Sequence, residues 1–98
     1  MDLKLKEKMK QKIDTAKWSY LKPHADRGGL LVVSPDLDLS EVGVLMAQDD
    51  VLKIESWLAQ QKIERPSEGM LELLEKEPSR TFAFLIVQPY VLIQTKPN

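Results

Sequence analysis

Cysteine is absent from this 98-residue chain, which excludes a disulfide framework, a thiolate zinc site and a cysteine nucleophile together. Histidine occurs once, as His24, and a lone imidazole without a second His or Cys makes a poor metal set. Only four glycines are present, two of them adjacent, and they build no phosphate-cradling loop. Nucleophile elbows and the HExxH pattern are missing as well. No catalytic residue, metal or cofactor is therefore expected. No apolar run approaches the roughly 20 residues of a membrane span, and the Lys-rich start lacks the apolar stretch of a signal peptide. A cytoplasmic location with no membrane partner is expected. Excess charge of one sign is also lacking: the net charge is −1, which exerts no global pull toward nucleic acid or anionic lipid.

What is there reads as one small globular domain over residues 1–98, with 43% apolar and 30% charged residues, the usual soluble mix. The charge is unevenly spread. Residues 1–22 hold seven Lys against Asp2, Glu7 and Asp14, a net +4, and the remainder carries −5. At about 100° per residue, Leu5, Met9, Ile13, Ala16 and Tyr20 share one arc with the early lysines outside it, predicting a first helix over about 3–21. Trp18 and Leu21 project away from that stripe, so its last turn must be packed on two sides or meet another chain. Pro23 is expected to stop this helix, because the residue before a proline is pushed out of the α region.

The run 24–29 reads as a turn and Leu30–Val33 as a buried strand. Asp38 or Ser40 caps a second helix over about 40–48, and Asp49 and Asp50 break the pattern before a third over about 50–61. In that third helix Val51, Ile54, Trp57 and Leu58 form the inner face. A short strand is predicted at 63–65. A fourth helix (about 68–77) turns Met70, Leu73 and Leu74 inward. Phe82–Val87 and Tyr90–Ile93 are the strongest strand signals, with a bulge, a bend or a break at Pro89.

This order predicts an α+β domain with four helices and a small sheet of about three strands. Its centre, from Leu39 to Arg65, resembles the helix-turn-helix of winged-helix domains, with the fourth helix in place of a wing. Over nearly its full length the chain also resembles the bacterial domain-of-unknown-function family 2288. The residues that carry the likeness are Trp18–Arg27, Leu37–Val44, Asp49–Asp50, Trp57–Leu58 and, most distinctively, Leu85–Gln94. The resemblance implies coherence of the fold and no activity, cofactor or partner.

His24 beside Arg27 lies in a loop setting where binding residues often occur, although helix capping or a bond to a carbonyl in the turn is the simpler account of a lone histidine. Asp36, Asp38, Ser40 and Glu41 superficially suggest a calcium loop, but the sixth-position Gly is missing and Ala47 stands where the bidentate Glu belongs. Asp49–Asp50 reads as a helix cap before it reads as a catalytic pair. On the third helix Lys53, Ser56 and Gln60 cluster with Asp49 within about 60° on the outer side. These would be the side chains to enter a DNA groove. One Lys set against Asp49 and Glu55 makes a poor phosphate-neutralising face, which disfavours nucleic acid. Gln88 and Tyr90 place polar groups in an apolar strand. Gln88 and Gln94 are expected to face solvent, and the bent strand offers an edge to a second subunit or a peptide.

The candidate binding surface is thus Trp18, His24, Arg27, Gln88 and Tyr90. The expected function is a protein-interaction or self-associating module whose partner is itself or another protein. A DNA-binding regulator using the 50–61 helix is the alternative. An enzyme would need His24, Arg27 and a carboxylate to converge in one concave pocket.

Overall fold

Alternation of apolar side chains along 81–95 decides the architecture, because it serves two faces at once. In the computed structural model, which describes residues 2–95, these residues form the hairpin β4 (Thr81–Val87) and β5 (Tyr90–Thr95). Phe82, Val91 and Ile93 bury on one face, and Leu85, Val87 and Leu92 on the other. A strand covered on both sides reads as a continuous apolar run, as Val91–Ile93 does. Around this hairpin stand β1 (Asp14–Lys17), β2 (Leu30–Val33) and β3 (Ile63–Glu64), in the order β1-β4-β5-β2-β3. All neighbours are antiparallel except β2 and β5, which run parallel with Leu30 opposite Val91.

Five helices cover the sheet: α1 (Leu3–Lys12), α2 (Trp18–Asp26), α3 (Leu39–Ala47), α4 (Val51–Ala59) and α5 (Glu68–Glu75). Met9 of α1, Leu39, Val42 and Val44 of α3 and Trp57 of α4 share a core with Leu85 and Leu92 on one face. Trp18 and Leu21 of α2 and Leu74 of α5 share the opposite core with Phe82 and Ile93. The α+β class is as expected, with five helices and a five-stranded mixed sheet instead of four helices and about three strands.

The difference arises at the first predicted helix. α1 ends at Lys12, Ile13 turns extended, and Asp14–Lys17 pair with Thr81–Phe84 as β1. β-branched Ile13 and Thr15 are weak helix formers: Ile13 turns the backbone extended at the end of α1, and Thr15 sits in the ladder to β4 opposite Ala83. The strand carries the chain from one face of the sheet to the other. For this reason Trp18 and Leu21 fall off the α1 stripe: they belong to a different core, where both are almost fully buried. Tyr20, expected inside, is 73% exposed.

Pro23 does not stop a helix; it sits within α2. The first N–H groups of α2 have no side-chain cap and donate instead to the carbonyls of Arg80 (2.8 Å, from Trp18) and Pro78 (3.0 Å, from Ser19). Anchoring of that end and burial of Trp18 outweigh the donor that proline removes.

The two central helices are separate rods. α3 closes with Asp49 in the left-handed region (φ 55°), the Asp50 N–H reaching the Leu45 carbonyl (2.9 Å) and the Asp49 N–H that of Met46 (3.1 Å). This is a Schellman closure with Asp in the seat glycine usually takes. Asp50 then caps α4 through the Lys53 N–H. α4 ends the same way, with Gln61 at φ 59° and the Lys62 N–H on the Trp57 carbonyl. α3 lies tight on the sheet: a Cβ at Gly43 would sit 2.5 Å from Leu85 Cδ2. Of the inner face predicted for α4 only Trp57 is buried, and in α5 Leu74 is buried while Leu73 is exposed. The ends of the expected 1–98 domain, residue 1 and residues 96–98, lie outside the described residues.

Candidate functional site

Parallel pairing of β2 with β5 sets the start of both strands at the same end of the sheet, beside the turn that joins β4 to β5. That turn is two residues, Gln88 and Pro89, joined by a cis peptide bond, with Val87 opposite Tyr90. It is neither a bulge nor a bend within one strand, and a cis proline at this position defines a type VI turn. Arg65, just beyond β3, arrives at the same end because β3 runs antiparallel to β2.

Two grooves open here, one on each face of the sheet, and they meet over Arg65, Gln88, Pro89 and Tyr90. The first, about 620 Å³, runs along α4, where Val51, Ile54, Glu55 and Leu58 line it at helical spacing. Leu31, Met46, Ile63 and Val87 form its floor and far wall. Here is the face of α4 that the apolar pattern marks as core. Val51 and Leu58 are about half exposed because α4 touches the rest of the molecule chiefly at α3 and β3, leaving the sheet edge uncovered. The rim is acidic, with Asp49, Glu55 and Glu64.

The second groove, about 480 Å³, is lined by His24, Arg27, Gly28, Gly29, Arg65, Ile86 and Val91 besides the shared turn. It brings together His24, Arg27, Gln88 and Tyr90, which the sequence offered as one surface. Arg27 Nε donates to the Pro23 carbonyl (3.3 Å), and its Nη2 lies 3.4 Å from His24 Nδ1. Gly28 takes φ 77°, and at Gly29 a Cβ would stand 3.3 Å from the Pro89 carbonyl oxygen. Both glycines therefore let the turn after α2 close against the hairpin; His24, Ala25 and Asp26, expected in that turn, form the last turn of α2 instead.

Trp18 does not join this surface. It is 1% exposed, packed edge-on against Phe82 with ring centroids 6.3 Å apart, and its Nε1 has no hydrogen-bond partner. Gln94 is also inside, where its Nε2 donates to the carbonyls of Ser34 (2.9 Å) and Leu37 (2.7 Å) and ties the β2–α3 loop to β5. A polar residue at strand spacing gives no sign of which carbonyls will meet it.

The carboxylates weighed for calcium have other partners. Asp36 binds Lys62 and Ser34, which hold its carboxyl below the usual carboxylate value. Asp38 caps α3 through the N–H groups of Ser40 and Glu41. Burial acts to raise Asp38, but the Ser40 hydroxyl, these N–H groups and Lys6 outweigh it and leave it lowered. Among the described residues no cluster of three or more His, Asp or Glu is placed to hold a metal ion. No carboxylate lines the His24–Arg27 groove, so the triad an enzyme would require does not assemble there.

The outer face of α4 carries Lys53, Ser56 and Gln60 as expected, with Lys53 Nζ 5.3 Å from the Trp57 ring and Gln60 bonded to Ser56. Leu52, 82% exposed, lies on the same helix, and no cationic ridge forms. Arg65, at the junction of both grooves, is the site residue that sequence reasoning missed. Its only signal was a basic residue between a short strand and Pro66. No helix among the described residues is long and apolar enough to cross a membrane.

Three comparisons bear on this chain. A family model described as "Protein of unknown function (DUF2288)" matches residues 4–95. An NMR solution structure of the protein PA1075 from Pseudomonas aeruginosa is similar, with 32% identity and a TM-score of 0.79, over 97% of this chain and 87% of that one. Among curated proteins none matches.

Proposed function

The chain belongs to the DUF2288 family, and since that family's description assigns no activity, we propose from the surface alone that it is a small interaction module that self-associates through the α4 groove. One observation carries this reading: the apolar face Val51–Ile54–Leu58 is left open above Leu31, Met46, Ile63 and Val87. An amphipathic helix normally buries that stripe, and open apolar grooves mark docking surfaces. A chain of this length buries only about 60–65% of its extended surface, so burial at an interface adds to a thin core. Gln88 and Tyr90 would extend the contact across the β4–β5 turn, toward His24 and Arg27. In this reading the unit β2–α3–α4–β3 is a winged-helix-like core, α5 stands where a wing would be, and the protein works in the cytoplasm. Nucleic acid is disfavoured as partner, because the outer face of α4 offers Lys53 alone among Leu52, Glu55 and Asp49.

Sedimentation velocity at micromolar concentrations tests it. The wild type is expected to sediment as a dimer, and Val51→Lys with Leu58→Lys as a folded monomer that keeps a cooperative thermal melt, at a midpoint lowered by the lost interface. A wild-type monomer at about 100 μM, a concentration at which even a weak specific dimer populates, defeats the self-association reading. Salt-sensitive retention of a DNA duplex lost on Lys53→Ala would favour the DNA-binding alternative instead.

A further inference from the structure

The second groove differs from the first in charge. Two arginines, Arg27 and Arg65, line it with His24, Tyr90 and Gln88, and no Asp or Glu does. Neither arginine forms an ion pair among the described residues; the ion pairs found there use Lys6, Lys10, Lys62 and Arg80. Of the three arginines only Arg80 meets an acid, and the two that do not share one concavity; several lysines also lack an ion pair among the described residues, but none of them lines this groove. Arg27 is also held in place. Its Nε bond to the Pro23 carbonyl and its contact with His24 Nδ1 fix the guanidinium plane. Donation to Nδ1 leaves the proton of a neutral His24 on Nε2, as a further donor. The carboxylates of Glu55, Glu64 and Asp49 line only the neighbouring groove.

We propose that the notch of His24, Arg27, Arg65 and Tyr90 binds the phosphate group of a small phosphate ester. Charge selects phosphate over carboxylate. Two guanidiniums balance the about −1.5 to −2 of a phosphate monoester at pH 7, whereas a carboxylate would leave one unneutralised. Forked arginine donors match phosphate oxygens in pairs. Pro89, Ile86 and the Tyr90 ring supply an apolar wall for the esterified part. At about 480 Å³ the notch falls in the range of small-molecule sites. This site adjoins the docking groove, sharing Arg65, Gln88, Pro89 and Tyr90 with it, but its lining comes from one chain and needs no second copy.

Phenyl phosphate, inorganic phosphate and benzoate, titrated into the ¹⁵N-labelled full chain at low salt, distinguish the outcomes. Phenyl phosphate is expected to saturate at millimolar concentration or below, with amide shifts confined to residues 24–29, 65 and 86–91. Benzoate is expected to bind at least about tenfold more weakly, as one charge replaces nearly two. Inorganic phosphate matching phenyl phosphate would place recognition in the oxyanion alone, and weaker binding would show that the wall contributes; either supports the site. Arg27→Gln and Arg65→Gln, both exposed and judged folded by their spectral dispersion, should each weaken binding about tenfold or more. Unchanged affinity in the double variant, benzoate binding as well as phenyl phosphate, shifts confined to the α1 lysines, or no saturation by about 20 mM, weaker than any specific site of this charge, would each overturn it. A wild-type monomer that still shows the phosphate shifts would sink the docking reading and leave this one standing.

Discussion

At the residue scale, single side chains seat elements that periodicity only outlines. Asp49 and Gln61 both occupy left-handed backbone at helix ends. Asp is among the residues that tolerate that region, and Gln is not. Gln61→Gly should therefore stabilise the fold by about 0.5–1 kcal/mol, the strain relieved exceeding the flexibility that glycine adds to the unfolded chain. A shift of the urea midpoint to higher concentration at constant slope is the expected readout, and a lower midpoint would show that the Gln61 side chain is needed. Trp18 is the counter-case. Its place off the α1 stripe marked it correctly as unusual, but what covers it is Phe82 and not a partner.

At the element scale, α2 is where local rules and tertiary structure disagree. Pro23 lies in its sixth position and removes a donor to the preceding turn. The helix persists because its first turn is fastened to Pro78 and Arg80 and its apolar side is sealed under the sheet. Pro23→Ala should restore one helical bond and stabilise the chain by about 1–2 kcal/mol, less than the full proline penalty because the unfolded state also gains freedom. Denaturation would register it, and hydrogen exchange should slow within α2. A destabilised variant would mean that the proline ring itself packs against something essential. α4 makes the opposite point. Its sequence is amphipathic and correctly placed, yet its apolar stripe faces a groove, since the two-residue β3 is too short to carry the sheet beneath it.

At the scale of the whole molecule, charge pairs fasten segments far apart in sequence. Lys6 of α1 meets Asp38 and Glu41 at the start of α3, each at 3.4 Å, and Lys62 holds Asp36 across the loop after β2. Asp36 and Asp38 are held below their ordinary value of 3.8. A folded value below the unfolded one gives stability that is complete above the ordinary carboxylate range and lost as pH falls through the folded value. Urea midpoints should therefore drop between about pH 4 and pH 2, and the double variant Asp36→Asn, Asp38→Asn should show a flatter drop in that window. Lys6 acts at the other end. Burial works to lower it, but its bonds and attraction to Asp38 and Glu41 prevail and raise it above 10.5. Its contribution is present below that value and fades as pH climbs past it. Equal acid slopes in both proteins would show that these pairs do not link folding to protonation.

Sequence alone determined the mixed class, the strands at 30–33, 82–87 and 90–93 and the break between α3 and α4 at the aspartates, and it offered His24, Arg27, Gln88 and Tyr90 as one surface, with Trp18 wrongly among them. These rest on local causes: alternation, capping, turn residues, and the reach of a chain that must return to a strong hairpin. Which face each stripe covers was decided only by the fold. Four residues of extended chain look helical by period until β4 offers them a ladder, and that ladder moved Trp18 from surface to core. Arg65 gained its meaning the same way. Nothing near it in the chain foretells Arg27, and only antiparallel pairing of β3 with β2 delivers both guanidiniums to one end of the sheet.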